Sequence, residues 1–555
     1  NHARIRKAFK DLMSKIIEYE TPDAFGAFPL IQRFDLDKRS ENVTDTKQVD
    51  KDKNTETNFN KTGLPIVKEK ETFTIAVSQI SSLKAAAEKE CVKQAEEKTN
   101  IHIEWVEIPA SGWNEKTNIM FSTDSLPDAI IGDVDIARNF EQLAVLDDLL
   151  KDYAPNVTAF FDTRDDYPNA LKAPDGTIRT LPIGDESIHN IIDSHLWINQ
   201  NWLDKLNLTM PTTPEELKEV LKAFKEKDPN GNGIADEIPF TFRDAWGWGV
   251  SIENFFGTYK TPENENHVWL DKDKKVVFSA REDGYKKTWS YLADLYKEGL
   301  IDKDAFILSN DQYSSRGATG DILGLVAGYT ASEAGVKNED DFRALPVLTD
   351  NGTMGVVGLN NITKAGGFAI SKNCKNPEAL VRWYDYINSD EKLAMLWGRG
   401  PEGVWWDTVK EGDKEYVRFL TMDKEVLAKN GGYSSKPEYR SAESFAGITP
   451  SLCRYNYLEE LKYDDKWPHD FKLEAVQRDI PFGVKGLPAG SGTLENSERR
   501  AILKADIDTY LKKFIADSVL NGIDDKKWEE HINALKSLNI DEYLTLTQEF
   551  VDMVK

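Results

Sequence analysis

Cysteine is scarce in this sequence. Its 555 residues include only three cysteines, Cys91, Cys374 and Cys453, and no two of them have the spacing of metal ligands. A disulfide scaffold and a zinc knuckle are therefore excluded. So few thiols suit an exported protein that avoids oxidative mispairing, although a cytosolic enzyme can have the same count.

Long apolar runs and an excess of basic charge are also missing. The sequence has no run of 18 or more apolar residues, and its first residues lack the basic-then-apolar pattern of a secretory signal. The formal net charge is −25, from 70 basic and 95 acidic residues. Because such a surface repels phosphate groups, nucleic acid is not expected as a partner.

Linear signatures of catalysis are absent from the sequence too. We find no HExxH zinc motif, no GxSxG nucleophile elbow, no P-loop and no usable pairing of cysteine with histidine. Two carboxylates that meet only in the folded protein leave no linear signature, so a carboxylate-based glycosidase stays open.

The length and the hydrophobic pattern predict an α/β protein with more than one lobe. A chain of 555 residues is too long for one ordinary core. From Phe73 the pattern alternates between strand and helix through FTIAV, residues 85–98, IHIEWVEI and SLPDAIIG. This order predicts a largely parallel sheet with helices on both faces. Further helices are predicted near residues 214–227, 283–298, 377–396 and 498–554.

The first 71 residues differ from the rest of the chain. In residues 1–40, apolar residues recur at helical spacing among basic ones and predict a short basic amphipathic helix. That helix could dock on a lobe, contact a membrane surface or be foreign to the native protein. Residues 41–71 are rich in Asn, Thr, Asp and Lys and are predicted to form a flexible linker.

The strongest chemical signal is the segment DPNGNGIADEIPF, which follows the helix ending at Lys227. Oxygen-bearing side chains stand at alternate positions, and Gly233 permits the sharp bend that brings later oxygens round. Calcium fits this pattern because it accepts about six to eight oxygen ligands. The predicted ligands are Asp228, Asn230, Asn232, the carbonyl of Ile234, Asp236 and Glu237.

This loop is not an EF-hand, because Pro239 occupies the position of the final bidentate glutamate. The alternative is a solvated turn of Asx and Gly residues that binds no ion. We expect a structural ion rather than a signalling one.

The sequence around this loop resembles the extracellular solute-binding proteins of bacterial ABC importers, especially the large carbohydrate-binding lipoproteins and the alginate-binding proteins. The most specific block is WINQNWLDKLNLTMPTTPEELKEVLKAFKEKDPNGNGIADEIPF, and SLPDAIIG, GGFAISKNCKNPEALVRWYDYINSDEK and GPEGVWW match in family order. In the alginate-binding relatives the same loop holds calcium. The family commonly has an Arg-Lys-Asp triplet where this chain has Asn199, Gln200 and Asn201, so the ligand contacts of that triplet do not carry over.

The resemblance implies a two-lobed, type II periplasmic-binding-protein-like fold with a hinge between the lobes. A ligand would bind in the cleft between them, and the lobes would close around it. The expected first lobe comprises residues 72–190 and 346–400, and the second, which carries the calcium loop, comprises residues 191–345 and 401–555. The expected crossings between lobes lie near residues 185–195 and 345–355.

The resemblance also implies a function. It implies a non-catalytic, extracytoplasmic monomer that delivers an oligosaccharide to the permease of an ABC transporter. A lipid anchor, on a segment that this chain does not contain, would hold the native protein at the cell surface. A secreted carboxylate-based glycosidase or polysaccharide lyase is the alternative, and an adhesion module is a third reading.

A sugar binder needs flat aromatic platforms with planar polar side chains beside them. Trp246 and Trp248 follow the calcium loop in FTFRDAWGWG, and Arg243 and Asp244 in the same segment could make bidentate hydrogen bonds. Ordinary core packing is the alternative for each aromatic residue. The further candidates are Tyr329 and Trp405.

Overall fold

The computed structural model describes residues 58–79, 83–162, 169–183, 188–192, 194–243, 252–359, 367–450, 452, 462–463 and 471–554. The helix predicted in residues 1–40 lies outside these ranges, as do residues 41–57 of the predicted linker. Within them, no helix is both long enough and apolar enough to cross a membrane.

Strands and helices alternate through much of the described chain. The strands are β1 (Glu71–Gln79), β2 (Ile101–Pro109), β3 (Ala129–Ile131), β4 (Thr180–Leu181), β5 (His195–Asn199), β6 (Ile238–Thr241), β7 (Val268–Leu270), β8 (Val276–Phe278), β9 (Leu323–Gly328), β10 (Phe342–Ala344), β11 (Thr349–Asp350), β12 (Thr353–Met354), β13 (Val357–Leu359), β14 (Phe368–Ile370), β15 (Trp406–Glu411), β16 (Lys414–Phe419), β17 (Lys462–Tyr463) and β18 (Gly483–Lys485).

The α-helices are α1 (Glu90–Thr99), α2 (Trp113–Ser122), α3 (Ile136–Asn139), α4 (Asp147–Tyr153), α5 (Pro155–Phe161), α6 (Gln200–Lys205), α7 (Pro214–Glu226), α8 (Glu253–Thr258), α9 (Asp283–Lys297), α10 (Asn310–Ser314), α11 (Pro377–Ile387), α12 (Glu391–Arg399), α13 (Lys424–Lys429), α14 (Lys436–Glu443), α15 (Phe471–Asp479), α16 (Leu494–Asn521), α17 (Asp525–Ser537) and α18 (Ile540–Met553).

Five strands form the first sheet, in the order β2-β1-β3-β14-β4. β1 is parallel to β2 and β3, which confirms the βαβ opening that the sequence predicts. β14 comes from a distant part of the chain and pairs antiparallel with β3 and β4. The three apolar residues of β14 indicate burial, but they are too few to indicate strand direction.

Four strands form the second sheet, in the order β10-β5-β9-β6. β6 is parallel to β9, whereas β5 is antiparallel to β9 and β10. Helix α7 packs on this sheet, and Leu217 and Phe224 of its apolar stripe are fully buried. The helix begins as the sequence predicts, because the Thr213 hydroxyl accepts a hydrogen bond from Glu216 N at 3.2 Å and Pro214 follows it.

The helices α16, α17 and α18 pack into the core of the second sheet. Leu503, Ile507 and Leu511 of α16 lie in the same buried cluster as Trp289 of α9. The predicted helical C-terminal stretch is therefore confirmed, and it is divided into three helices by short turns after Asn521 and Ser537.

Residues 405–452 pack with the first sheet. Trp406, Phe419 and Phe445 belong to the same core as β1, and the ring of Phe445 lies 5.2 Å from that of Trp105. The sequence-based boundary, which returned the chain to the second lobe at residue 401, differs from this packing. The reason is that an apolar pattern shows that a residue is buried, but not in which core.

The predicted linker is folded from residue 58 onward. Asn58 Oδ1 accepts a hydrogen bond from Glu69 N at 2.7 Å, and Ile66 donates its N–H to the Thr99 carbonyl at 3.0 Å. Ile66 and Val67 are fully buried in the first core. Two apolar residues are enough to dock this polar segment, so the linker prediction is wrong for residues 58–71.

The described residues show the chain passing between the two sheets three times. We call residues 182–194, 345–367 and 453–485 the crossing segments. The described residues within 58–181 and 368–452 form the first lobe, and those within 195–344 and 486–554 form the second lobe. The predicted crossing near residues 345–355 lies within the second segment, whereas the one near residues 185–195 overlaps the first segment and extends to His195, the first residue of β5.

Described residues of all three crossing segments meet in one apolar cluster, which includes Ile188, Ile192, Val357, Leu359 and Val476. β13 of the second segment also pairs in parallel with β18 of the third. This shared packing defines the hinge region between the lobes.

Candidate functional site

Each sheet has one edge beside the crossing segments. In the second sheet, the parallel strands β6 and β9 end next to the start of β5, since His195 pairs with Gly328. In the first sheet, β3 ends next to the start of β14, since Ile131 pairs with Phe368. Ligands of α/β proteins bind at the carboxyl ends of parallel strands. These two edges therefore define the candidate cleft.

Arg243 lies just beyond the end of β6, at the cleft edge of the second lobe. Its guanidinium donates hydrogen bonds to Asn310 Oδ1 at 2.9 Å and to Glu333 Oε2 at 3.1 Å. These bonds fix a partly buried cation between α10 and the loop after β9. Asp244, Trp246 and Trp248 lie outside the described residues.

Tyr329 follows β9 at the same edge and is partly buried. Its hydroxyl donates to Asn190 Oδ1 at 3.2 Å. The ammonium of Lys472 lies 4.4 Å from the centre of its ring. The ring is thus held at the cleft edge by contacts with the first and third crossing segments.

Trp405 lies within the core of the first lobe. Only 7% of its surface is exposed, and the cationic groups of Arg399 and Lys436 lie 5.0 and 4.6 Å from its ring centre. The indole of Trp406 is also buried and donates to the Gly400 carbonyl at 2.8 Å. In this conformation neither indole is an open platform, and the role of Trp405 in ligand contact stays a prediction.

Asn199, Gln200 and Asn201 lie at the opposite end of β5 from the cleft edge. Asn199 is fully buried, and its side chain caps α6 by accepting a hydrogen bond from Trp202 N at 3.1 Å. Gln200 donates to Asp204 on the same helix at 2.7 Å. The triplet therefore starts a helix in this chain and does not line the candidate cleft.

The predicted calcium loop connects α7 to β6. Asp228 accepts hydrogen bonds from Asn232 N at 3.1 Å and Gly233 N at 2.9 Å. The side-chain amides of Asn230 and Asn232 each donate to Asp236 Oδ1 at 3.1 Å. The loop thus draws carboxylate and amide groups together around a short turn.

Glu237 closes this loop. Within the described chain, its Oε1 is buried and has no hydrogen-bond partner. Burial raises the pKa of Glu237, and the nearby carboxylates of Asp228 and Asp236 raise it further. A cation at this point would remove the repulsion between the three carboxylates.

Asp, Glu, His and Cys side chains alone form no metal-binding group of three or more anywhere in the described ranges. A calcium site in the loop therefore needs the oxygens of Asn230, Asn232 and Ile234 as well. These are the oxygen types that calcium accepts, so the residues present fit the ion.

The comparisons with known proteins agree with this architecture. The family model of the bacterial extracellular solute-binding proteins matches residues 76–394, more than half of the chain. The fructooligosaccharide ABC transporter substrate-binding protein FusA of Streptococcus pneumoniae is 29% identical over 517 residues, which cover 88% of this chain and 91% of FusA.

Solved structures extend the likeness to the fold. FusA in complex with kestose has a TM-score of 0.71 at 27% identity, over 87% of this chain and 99% of that one. An EF-hand mutant of FusA in complex with fructo-nystose has a TM-score of 0.69 at 26% identity, over 87% and 99%. The alginate-binding protein AlgQ2, solved without calcium ion, has a TM-score of 0.65 at 22% identity, over 88% and 100%.

The predicted family and fold class are both confirmed. The chain belongs to the bacterial extracellular solute-binding protein family, and it has the two-lobed, type II periplasmic-binding-protein fold.

Proposed function

We propose that this protein captures an oligosaccharide in the cleft between its lobes and delivers it to the membrane permease of an ABC importer. The observation that carries the proposal is the similarity to FusA, which spans both lobes and 88% of the chain. Fructooligosaccharides are therefore the first ligands to test. The protein would work outside the cytoplasmic membrane as a lipid-anchored monomer.

The chemistry of the cleft edge supports a sugar ligand. Arg243 is held by Asn310 and Glu333, so its orientation is set before a ligand arrives. The ring of Tyr329 could pack against the C–H face of a sugar. In our proposal Asp244, Trp246 and Trp248 complete this wall, and Trp405 contacts ligand from the first lobe.

The proposal also includes a structural calcium ion held by Asp228, Asn230, Asn232, Ile234, Asp236 and Glu237. The support is the buried, unpartnered oxygen of Glu237 and the convergence of three carboxylates. A bound ion supplies positive charge at this point, while the six residues tie the end of α7 to the start of β6. That strand leads directly to Arg243, so the loop would stabilise one wall of the cleft.

Calorimetric titration with kestose and a panel of other oligosaccharides tests the function. We expect at least one sugar to bind, and a reducing-end assay on the same panel to show no turnover. The glycosidase or lyase reading would replace ours if turnover occurred and a single Asp or Glu substitution abolished it.

A further inference from the structure

Three charged or titratable side chains are buried together in the hinge region. The exposed fractions are 4% for Lys472, 3% for Asp479 and 2% for His195. Lysine and aspartate are rarely so buried unless they have partners. Lys472 Nζ donates to the Ile192 carbonyl at 2.6 Å and lies 3.1 Å from His195 Nδ1.

His195 connects the lysine to the aspartate. An ammonium group has only donors, so Nδ1 of His195 acts as the acceptor and the ring proton resides on Nε2. Nε2 lies 3.4 Å from Asp479 Oδ2. Burial, together with the charge of Lys472, lowers the pKa of His195 to about 4, so the ring is neutral near pH 7.

Arg478 extends this group to the second crossing segment. Its guanidinium makes two bonds of 2.7 Å to Asp479. It also donates to the carbonyls of Ala344 at 3.0 Å and Leu345 at 2.9 Å. The first, second and third crossing segments are therefore tied together by one chain of polar contacts, which runs through the neutral ring of His195.

The other end of this chain of contacts reaches the candidate cleft. The Lys472 ammonium lies 4.4 Å from the ring centre of Tyr329, within the range of a cation–π interaction. A cavity beside His195 and Asp479 is lined by Phe255, Leu345 and other apolar residues. The polar contacts of His195 and Asp479 therefore lie beside incompletely filled apolar space in the hinge region.

We propose that Lys472 is a positioning residue of the hinge. From within the crossing segments it holds the ring of Tyr329 at the cleft edge and fixes the relative arrangement of the lobes. Ligand affinity then depends on Lys472, although this side chain does not touch the ligand. The ligand part rests on the proposed function, whereas the hinge part does not.

Lys472→Met tests the proposal, with Lys89→Met as the matched control. Lys89 is 2% exposed, and its ammonium donates to the carbonyls of Ser441 at 2.8 Å and Ala442 at 2.7 Å within the first lobe. It also lies 5.8 Å from the ring centre of Phe445. Both substitutions therefore remove a buried ammonium that binds carbonyls beside an aromatic ring, but only one is in the hinge.

Two measurements are made on each variant, and the first of them does not assume a ligand. Spin labels at Glu104→Cys in the first lobe and Lys512→Cys in the second, with Cys453 replaced by serine, report the distance between lobes. We expect Lys472→Met to broaden or shift this distance distribution, and Lys89→Met to leave it unchanged. A wild-type distribution in Lys472→Met, or an equal change in both variants, overturns the proposal.

Calorimetry with kestose gives the second readout. We expect affinity to fall at least tenfold in Lys472→Met and to stay within twofold of wild type in Lys89→Met. If wild-type protein binds no sugar, the proposed function fails, and the distance distribution still decides the role of Lys472. Lys472→Gln, which keeps an N–H donor without the charge, replaces Lys472→Met if that variant does not fold.

Discussion

Within the 228–237 loop, Glu237 is the acidic residue whose negative charge is least compensated by its surroundings. Its buried Oε1 lacks a hydrogen bond within the described chain, and Asp228 and Asp236 lie close enough to raise its pKa. A buried carboxylate oxygen without a hydrogen bond is costly. The same carboxylates become ligands when a cation is present, so the loop should gain stability from calcium.

We expect a chelator to lower the melting temperature of the wild-type protein without abolishing ligand binding. Calcium at about 100 times its dissociation constant adds about 2.7 kcal/mol to the free energy of unfolding. Asp228→Ala should melt at the same temperature with calcium and with chelator, whereas Asp273→Ala, in an exposed turn, should respond like wild type. A wild-type protein that is indifferent to calcium contradicts the proposed ion.

Arg243 provides the second prediction at this scale. Arg243→Gln should weaken oligosaccharide binding by roughly ten- to a hundredfold, since a hydrogen bond to a charged group contributes roughly 1.5–3 kcal/mol. The matched control is Arg499→Gln. The side chain of Arg499 is 42% exposed, and its guanidinium pairs with Glu542 of α18. Titration calorimetry measures both affinities. Equal affinity in the two variants would show that Arg243 does not bind the ligand.

At the scale of elements, His531 connects helices and strands of the second lobe. Its ring lies on α17, stacks 3.9 Å from the ring of Phe514 on α16, and faces the Ala280 carbonyl at 2.7 Å through Nε2. The side chain is almost fully buried. Burial lowers the pKa of His531 to about 4, so this packing requires the neutral ring.

This lowered pKa predicts acid sensitivity. Between about pH 6.5 and 4 the unfolded chain binds a proton at His531 that the folded protein does not, so stability falls as the pH falls. From pH 7 to pH 5 the contribution lost is about 2 kcal/mol. Urea unfolding of wild type and His531→Gln at both pH values isolates the contribution of His531 to the free energy of unfolding.

We expect wild type to lose about 2 kcal/mol more than His531→Gln over this interval. The comparison with the variant is necessary because other groups change with pH in the opposite sense. Burial raises the pKa of Asp385 to about 6, so its contribution to stability is lost as the pH rises. Equal pH dependence in both proteins would show that the pKa of His531 is the same in the folded and unfolded states.

At the scale of the whole molecule, the lobes contact each other outside the hinge as well. Arg138 of α3 donates to Glu498 of α16 at 2.8 Å, and these side chains are 54% and 49% exposed. Exposed ion pairs contribute about 0–1 kcal/mol. Closure of the lobes must therefore depend on the ligand and the hinge rather than on this pair.

We expect a bound oligosaccharide to reduce the radius of gyration in solution scattering, because the lobes close around it. Arg138→Gln should compact to the same extent as wild type. Binding without any compaction would favour the adhesion module over a transport protein.

Much of this molecule follows from local sequence. The cap at Thr213 and the apolar stripe from Leu217 to Phe224 are interactions within one helix, so they can be read from residue spacing. The βαβ opening and the oxygen-rich loop are local in the same sense. The family resemblance also depends on contiguous blocks, and it gave the correct fold class.

The tertiary structure decided which residues that lie far apart in the chain come into contact. Asp385 of α11 accepts hydrogen bonds from Asn156 N at 2.8 Å and Val157 N at 3.0 Å, and so caps α5 across 229 and 228 residues of sequence. Three other features also depend on contacts between distant parts of the chain: the boundary at residue 452, the folding of residues 58–71 and the hinge contacts of Lys472. A sequence pattern records that a side chain is apolar or charged, but its partner is chosen only when the chain closes on itself.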